Sequence, residues 1–305
     1  AYEICKKEKS IKWVYYLPAD TKSNAKKFIN IINPIKVIFI KNELWINYMC
    51  IIKDKEIPFY LICSIFNNSH LFIKNKWLSK QLNNFTHFFV QDQNSKRVLH
   101  TININNCTVA GDSRFDSVIM TSTLEKNIPF IKDFCKRKGT IICGSTWRKD
   151  EKILNKFIKN NPQYNYIIAP HELNYINKIQ KETNGILFSK IKNKTDISNI
   201  IIIDNIGLLS SIYKYGKIAY IGGGFNTGIH NVLEPAVYGL PVIFGPKYKK
   251  SLEANELIKI QGAKTIKNYL ELKNSIFKFS NFDSKLTKEY VQSKSGATNK
   301  IINKI

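Results

Sequence analysis

Short runs of Ile, Val, Phe and Tyr recur along this chain, separated by stretches in which apolar positions return every third or fourth residue. The runs are WVYYL (13–17), VIFI (37–40), FYLIC (59–63), HFFVQ (87–91) and CTVA (107–110), then TIICG (140–144), YIIAP (166–170), ILFS (186–189), IIIID (200–204), KIAYI (217–221) and PVIF (241–244). Most lack a clean alternation of apolar and polar residues, as expected of strands buried on both faces. Between them lie amphipathic patterns such as SNAKKFINII, DEKILNKFIKN and SLEANELIKI, which predict helices. Strands alternating with helices imply parallel sheets covered on both sides, an α/β fold.

Five runs precede residue 111 and six follow residue 139, too many for one ordinary doubly wound sheet. Two Rossmann-like domains are therefore expected: 1–118, 119–282, and a terminal helical segment over 283–305. Two such doubly wound parallel-sheet domains should face a cleft bordered by the carboxyl ends of their strands, so the loops directly after strands are where chemistry belongs.

Composition narrows the class. The 305 residues are 44% hydrophobic, which excludes a wholly disordered chain. Formal charge is +24, suggesting an anionic partner, which includes a nucleic acid or an acidic membrane surface. Only Arg97, Arg114, Arg137 and Arg148 are arginine, and Ile and Asn are also abundant, so A/T-rich coding accounts for the lysines equally well. No zinc-finger spacing or aromatic RNA-binding signature accompanies the charge, and no specific nucleic-acid partner is expected. The six cysteines include no C-x-x-C pair, and there is no Asp-x-Asp, so neither a zinc site nor any other metal is expected. Buried, reduced thiols suit a cytoplasmic compartment.

The unusual residues sit after the runs. IAYIGGGFNTGIHNVLEPAVYGLPVIFGP (218–246) places Gly222, Gly223 and Gly224 after a strand and Gly228 before His230 and Asn231 at a helix start. Successive glycines let backbone N–H groups approach an anion, though a tight turn needs them too. Asn231 and Glu234, three apart, share a helical face, where the carboxylate either accepts from two ribose hydroxyls or complements the helix dipole. Pro170 and His171 follow another strand, and Asn205, Ile206 and Gly207 open a helix. Ser145 and Thr146 either cap the next helix or bind sugar oxygens. In the first half Glu43 follows a strand, and Arg114 stands at the domain junction, suited to a leaving phosphate or to a salt bridge with Asp112 or Asp116.

Together, in order, YLPADT, KNELWINY, VAGDSRFD, ICGSTW, IIAPHE and GGGFNTGIHNVLEPAVYGLPVIFGP resemble the 3-deoxy-D-manno-octulosonic acid (Kdo) transferase family, from about Tyr15 to the GATNKI ending. The resemblance implies a GT-B-like fold and an inverting, metal-independent glycosyltransferase that moves Kdo from CMP-Kdo to the lipid A precursor (lipid IVA) in lipopolysaccharide biosynthesis. It implies work at the cytoplasmic face of the inner membrane, with CMP-Kdo, the lipid A precursor and an anionic membrane surface as partners. It places Pro170 and His171 on the family's CMP-contacting pair, Ile206, Gly207 and Leu208 on its helix-start triplet, and Asn231, Val232, Leu233 and Glu234 on its N-x-x-E segment. Glu43 and Arg114 fall on the transition-state-stabilising positions.

The chain departs from the family in one respect. The family's general base is a Glu following Gly in an N-terminal motif behind a hydrophobic anchor, and no Gly-Glu dipeptide occurs here. With Ala1 in place of an initiating Met, the expectation is a truncated chain that binds CMP and transfers Kdo poorly or not at all. The alternatives are a non-catalytic CMP-binding remnant, another GT-B nucleotide-sugar enzyme and, less favoured, a nucleic-acid-binding protein.

Overall fold

The computed structural model describes residues 2–6, 11–124, 127–191 and 198–305. The chain divides into two compact units, Ala1–Ser113 with Gly296–Ile305, and Arg114–Ser295.

The first unit is a parallel sheet in sequential order: β1 (Val37–Ile40), β2 (Phe59–Ser64), β3 (His87–Val90) and β4 (Cys107–Val109). Helices Lys22–Ile32 and Ile46–Asp54 supply Ala25, Ile29, Met49 and Ile52 to the core, where they join Phe59, Leu61 and Phe88. Thr21 caps the first of these by accepting from Asn24 N–H, as a threonine before a helical pattern should. Tyr60 and Phe89 alternate onto the opposite sheet face, joined by Cys63 at the register shift after Ile62, and meet Ala110 and Ile301, the latter from the terminal helix Ala297–Ile302.

The second unit has seven parallel strands: β5 (Thr140–Thr146), β6 (Asn165–Pro170), β7 (Ile186–Leu187), β8 (Ile200–Ile202), β9 (Ile218–Ile221), β10 (Val242–Phe244) and β11 (Ala263–Thr265), in the order β11-β10-β9-β5-β6-β8-β7. The unbroken apolar runs have a simple cause. Ile142, Ile167, Ile201 and Ala219 enter one core, while their neighbours Ile141, Ile168, Ile202 and Tyr220 enter another on the opposite face. Both faces are covered, so polar alternation would be costly.

Three expectations need correction. WVYYL is not a strand: Trp13, Tyr15 and Tyr16 are exposed and pair with no sheet, while β11, whose AKT carries no apolar run, completes the second sheet. The boundary falls after residue 113 and not 118, because Phe115 and Val118 of helix Ser113–Thr123 pack into the core with Ile142 and Leu233. The terminal segment is not one body. Tyr290 and Val291 join that same core, with Tyr290 edge-on to Phe115 at 5.7 Å, whereas Ile301 packs in the first unit.

Candidate functional site

The strand order of the second unit reverses direction at β5. From there the chain moves outward through β6 toward β8 and β7, then returns to place β9 on the other side of β5. Loops leaving the carboxyl ends of β5 and β9 therefore diverge to opposite faces and leave a crevice, the place where open α/β sheets take ligands. Trp147 and Gly222–Gly224 stand at that point.

The two loops are bonded together. Asp150, fully buried in the first turn of helix Arg148–Asn160, accepts from Trp147 N–H at 2.9 Å, from the Tyr220 hydroxyl at 2.7 Å and from Gly223 N–H at 3.0 Å. Three donors on one carboxylate satisfy a charge that burial would otherwise penalise heavily. Burial and this carboxylate push the Tyr220 phenol well above its ordinary value, keeping it a donor.

The glycines are explained by the same packing. A Cβ on Gly222 would lie 2.1 Å from the Ser145 carbonyl oxygen, and one on Gly224 would lie 2.6 Å from Gly245 N. Gly223 sits at φ +90° with His230 against it. Gly222 N–H donates to the Gly144 carbonyl at 2.9 Å and Gly223 N–H to Asp150. These two N–H groups are thus occupied within the protein. Of the two readings of the glycine run, close backbone approach accounts for Gly222 and Gly224, and the Gly222 and Gly223 N–H groups are not free for an anion.

An aromatic stack covers the junction. Trp147 Nε1–H donates to His230 Nε2 at 2.8 Å, and His171, whose own N–H donates to the Thr146 carbonyl, stacks 4.6 Å from Trp147 and 4.4 Å from His230. An acceptor at Nε2 leaves the imidazole proton of neutral His230 on Nδ1. Burial, and secondarily His171, lower the His230 pKa, against an opposing pull from Asp150.

Beside the stack, Asn231 bridges the start of the short helix Leu233–Ala236. Its Oδ1 accepts from Leu233 N–H at 3.0 Å and its Nδ2 donates to Glu234 Oε1 at 3.1 Å. Both side chains line a pocket of about 200 Å³ with Ser117, Thr121, Ser210 and Tyr238. Burial raises the Glu234 pKa above the usual carboxylate value, and the Asn231 bond pulls it back. A carboxylate so placed can accept from paired hydroxyls of a sugar.

The remaining expected residues are placed differently. Pro170 is buried at the end of β6, and Val232 and Leu233 are wholly buried in the core, so their side chains are structural. Ile206 is 83% exposed, Gly207 adopts φ +92° with nothing near it, and Leu208 packs against the core. None of these three lines the Asn231–Glu234 pocket. Thr146 is buried and donates to Glu151, not free to cap the following helix. Arg114 donates to Glu253 at 2.8 Å, a carboxylate far away in sequence that spacing could not reveal. Glu43, exposed after β1, borders an apolar pocket of about 460 Å³ with Phe28, Trp45 and Tyr48. Trp147, Asp150 and His230 were missed because each reads locally as an anchor, a first-turn acid or a turn residue.

Among the described residues no group of three His, Cys, Asp or Glu side chains could hold a metal ion, and no helix is long and apolar enough to cross a membrane. All six cysteines are free thiols.

Two parallel-sheet α/β units define a GT-B-type fold. The chain superposes on UDP-GlcNAc 2-epimerase from Neisseria meningitidis bound to UDP-GlcNAc with TM-score 0.61 and 15% identity, over 93% of this chain and 78% of that one. At that identity the likeness is one of fold. Sequence adds a likeness to the Kdo transferases. Residues 1–117 match the family described as 3-Deoxy-D-manno-octulosonic-acid transferase (kdotransferase). The chain is 25% identical over 289 residues to 3-deoxy-D-manno-octulosonic acid transferase of Rickettsia prowazekii, covering 89% of this chain and 61% of the relative. It is 28% identical over 264 residues to a bifunctional glycosyltransferase/methyltransferase of Fusobacterium nucleatum, covering 80% and 40%. The chain thus spans less than two thirds of the length of these relatives.

Proposed function

We propose that the second unit binds the CMP portion of CMP-Kdo, and that the protein transfers Kdo to a lipid A precursor. The observation that carries this reading is the Asn231–Glu234 pair, bonded at 3.1 Å in a pocket beside the strand-order reversal of a GT-B-type unit. In this reading Glu234 accepts from the ribose hydroxyls and His171, on the aromatic stack, flanks the nucleotide. Pro170, Val232 and Leu233 hold those residues in place, and Ile206, Gly207 and Leu208 offer backbone at the loop after β8.

The reaction joins an acceptor hydroxyl oxygen to the anomeric carbon of Kdo as the bond to the CMP phosphate oxygen breaks. The hydroxyl proton must pass to a base, the role that the resemblance gives to the Glu of a Gly-Glu dipeptide not found in this sequence, and negative charge collects on the departing phosphate. Arg114 supplies positive charge for it, sharing its guanidinium with Glu253, and Glu43 is the acidic partner in transition-state stabilisation. The reading uses no metal and no cofactor beyond the donor. The reading places this work at the cytoplasmic face of the inner membrane, and the formal charge of +24 suits an anionic membrane surface.

Calorimetry with CMP, UMP and UDP tests the reading. Selective binding of CMP supports it. Preference for UDP would instead favour a UDP-sugar enzyme, the second reading that the epimerase-like fold allows.

A further inference from the structure

A pocket of about 630 Å³ lies at the β11 edge of the second unit and shares no residue with the Asn231–Glu234 pocket. Lys264, on β11, and Lys278, at the end of helix Tyr269–Lys278, both line it. Two ammonium groups held side by side repel each other unless an anion lies between them. Two carboxylates border the pocket, and both face other groups. Glu271 accepts from Lys267 N–H at 2.9 Å and from Asn268 Nδ2 at 3.2 Å, and Asp283 accepts from Lys285 N–H at 2.9 Å. Among the described residues neither lysine is in an ion pair.

The surroundings favour a ligand with both an anionic and an apolar part. Ser275 and Asn274, on the same helix as Lys278, bring neutral hydrogen-bonding groups to the pocket. Phe279 and Phe282, edge-on at 5.4 Å, form an apolar wall. Burial, and then the adjoining Lys278, hold the Lys264 ammonium below the ordinary lysine value, a shift that a bound anion would oppose.

We infer that this pocket is a phosphate site, in which the phosphate of a small monoester bridges Lys264 and Lys278 while its carbon body lies against Phe279 and Phe282. The nucleotide pocket plays no part in the inference, which stands whether or not CMP binds there.

Amine acylation of the full chain, read by peptide mass spectrometry, tests it with phenyl phosphate and inorganic phosphate as probes. Phenyl phosphate should slow labelling of Lys264 and Lys278 by about fivefold or more at constant ionic strength, with the other lysines unchanged, and inorganic phosphate should do so more weakly. Uniform slowing of all lysines, or none, would overturn the inference. In a parallel titration Lys264→Ala should weaken phenyl phosphate binding by about tenfold, the loss of one charge-assisted contact, while Glu234→Ala leaves it unchanged. The opposite pattern would assign the anion to the nucleotide pocket and overturn the inference.

Discussion

Trp147 Nε1 lies 2.8 Å from His230 Nε2, so the loop after β5 and the loop after β9 are held together by one side-chain hydrogen bond across the strand-order reversal. Because Trp donates there, protonation of His230 at Nε2 must break the bond. Trp147→Phe removes the donor and should raise the His230 pKa toward the ordinary histidine value, seen as a shift of its imidazole titration by NMR. A titration unchanged in the variant would show that burial and the neighbouring His171 and Asp150 set it without the Trp147 bond.

Asp150 is the second tie between those loops. Asp150→Ala leaves the Tyr220 hydroxyl and Gly223 N–H buried without an acceptor, and should cost about 2–5 kcal/mol of stability. Tyr220→Phe removes a single donor and should cost about 1 kcal/mol. Chemical denaturation compares the two, and equal losses would contradict the role assigned to the carboxylate.

Gly222→Ala would place its Cβ 2.1 Å from the Ser145 carbonyl oxygen, which belongs to backbone and cannot swing aside. The variant should be strongly destabilised, whereas Gly207→Ala, with open space around it, meets only the strain of φ +92° and should cost about 1–2 kcal/mol. Thermal unfolding of both variants checks the order.

Much of this architecture could be read from the sequence because burial on both sheet faces leaves continuous apolar runs, as in Ile200–Ile202 and Ile218–Ile221. The failures have physical causes. WVYYL has strand composition, yet no sheet pairs with it, and AKT lacks that composition but is paired by β10. The relation of Asn231 to Glu234 was legible because it is local. Those of Trp147 to His230, Asp150 to Gly223 and Arg114 to Glu253 join residues far apart in sequence, and spacing carries no trace of them. The glycine triplet was legible as a special turn but not its cause, since a run of glycines serves close backbone packing as readily as anion binding.

Burial raises the Glu234 pKa in the folded protein, which gives stability and binding opposite trends with pH. Its contribution to stability should be present below the ordinary carboxylate pKa and fall as pH rises toward the folded value, because the unfolded chain loses the proton first. CMP binding through a carboxylate should instead strengthen as pH rises through the folded pKa. Glu234→Gln should flatten both trends, measured by denaturation and calorimetry over pH 4 to 7 (about the range of a raised carboxylate). A CMP pH profile identical in the variant would exclude Glu234 as the titrating group.

The most direct test of the account is CMP affinity in Glu234→Ala against the unaltered chain, by calorimetry. The account predicts that the unaltered chain binds CMP and that the variant binds about 10- to 100-fold more weakly, the loss of charge-assisted ribose contacts, with its fold retained by circular dichroism. Unchanged CMP affinity in a folded Glu234→Ala protein would contradict the account.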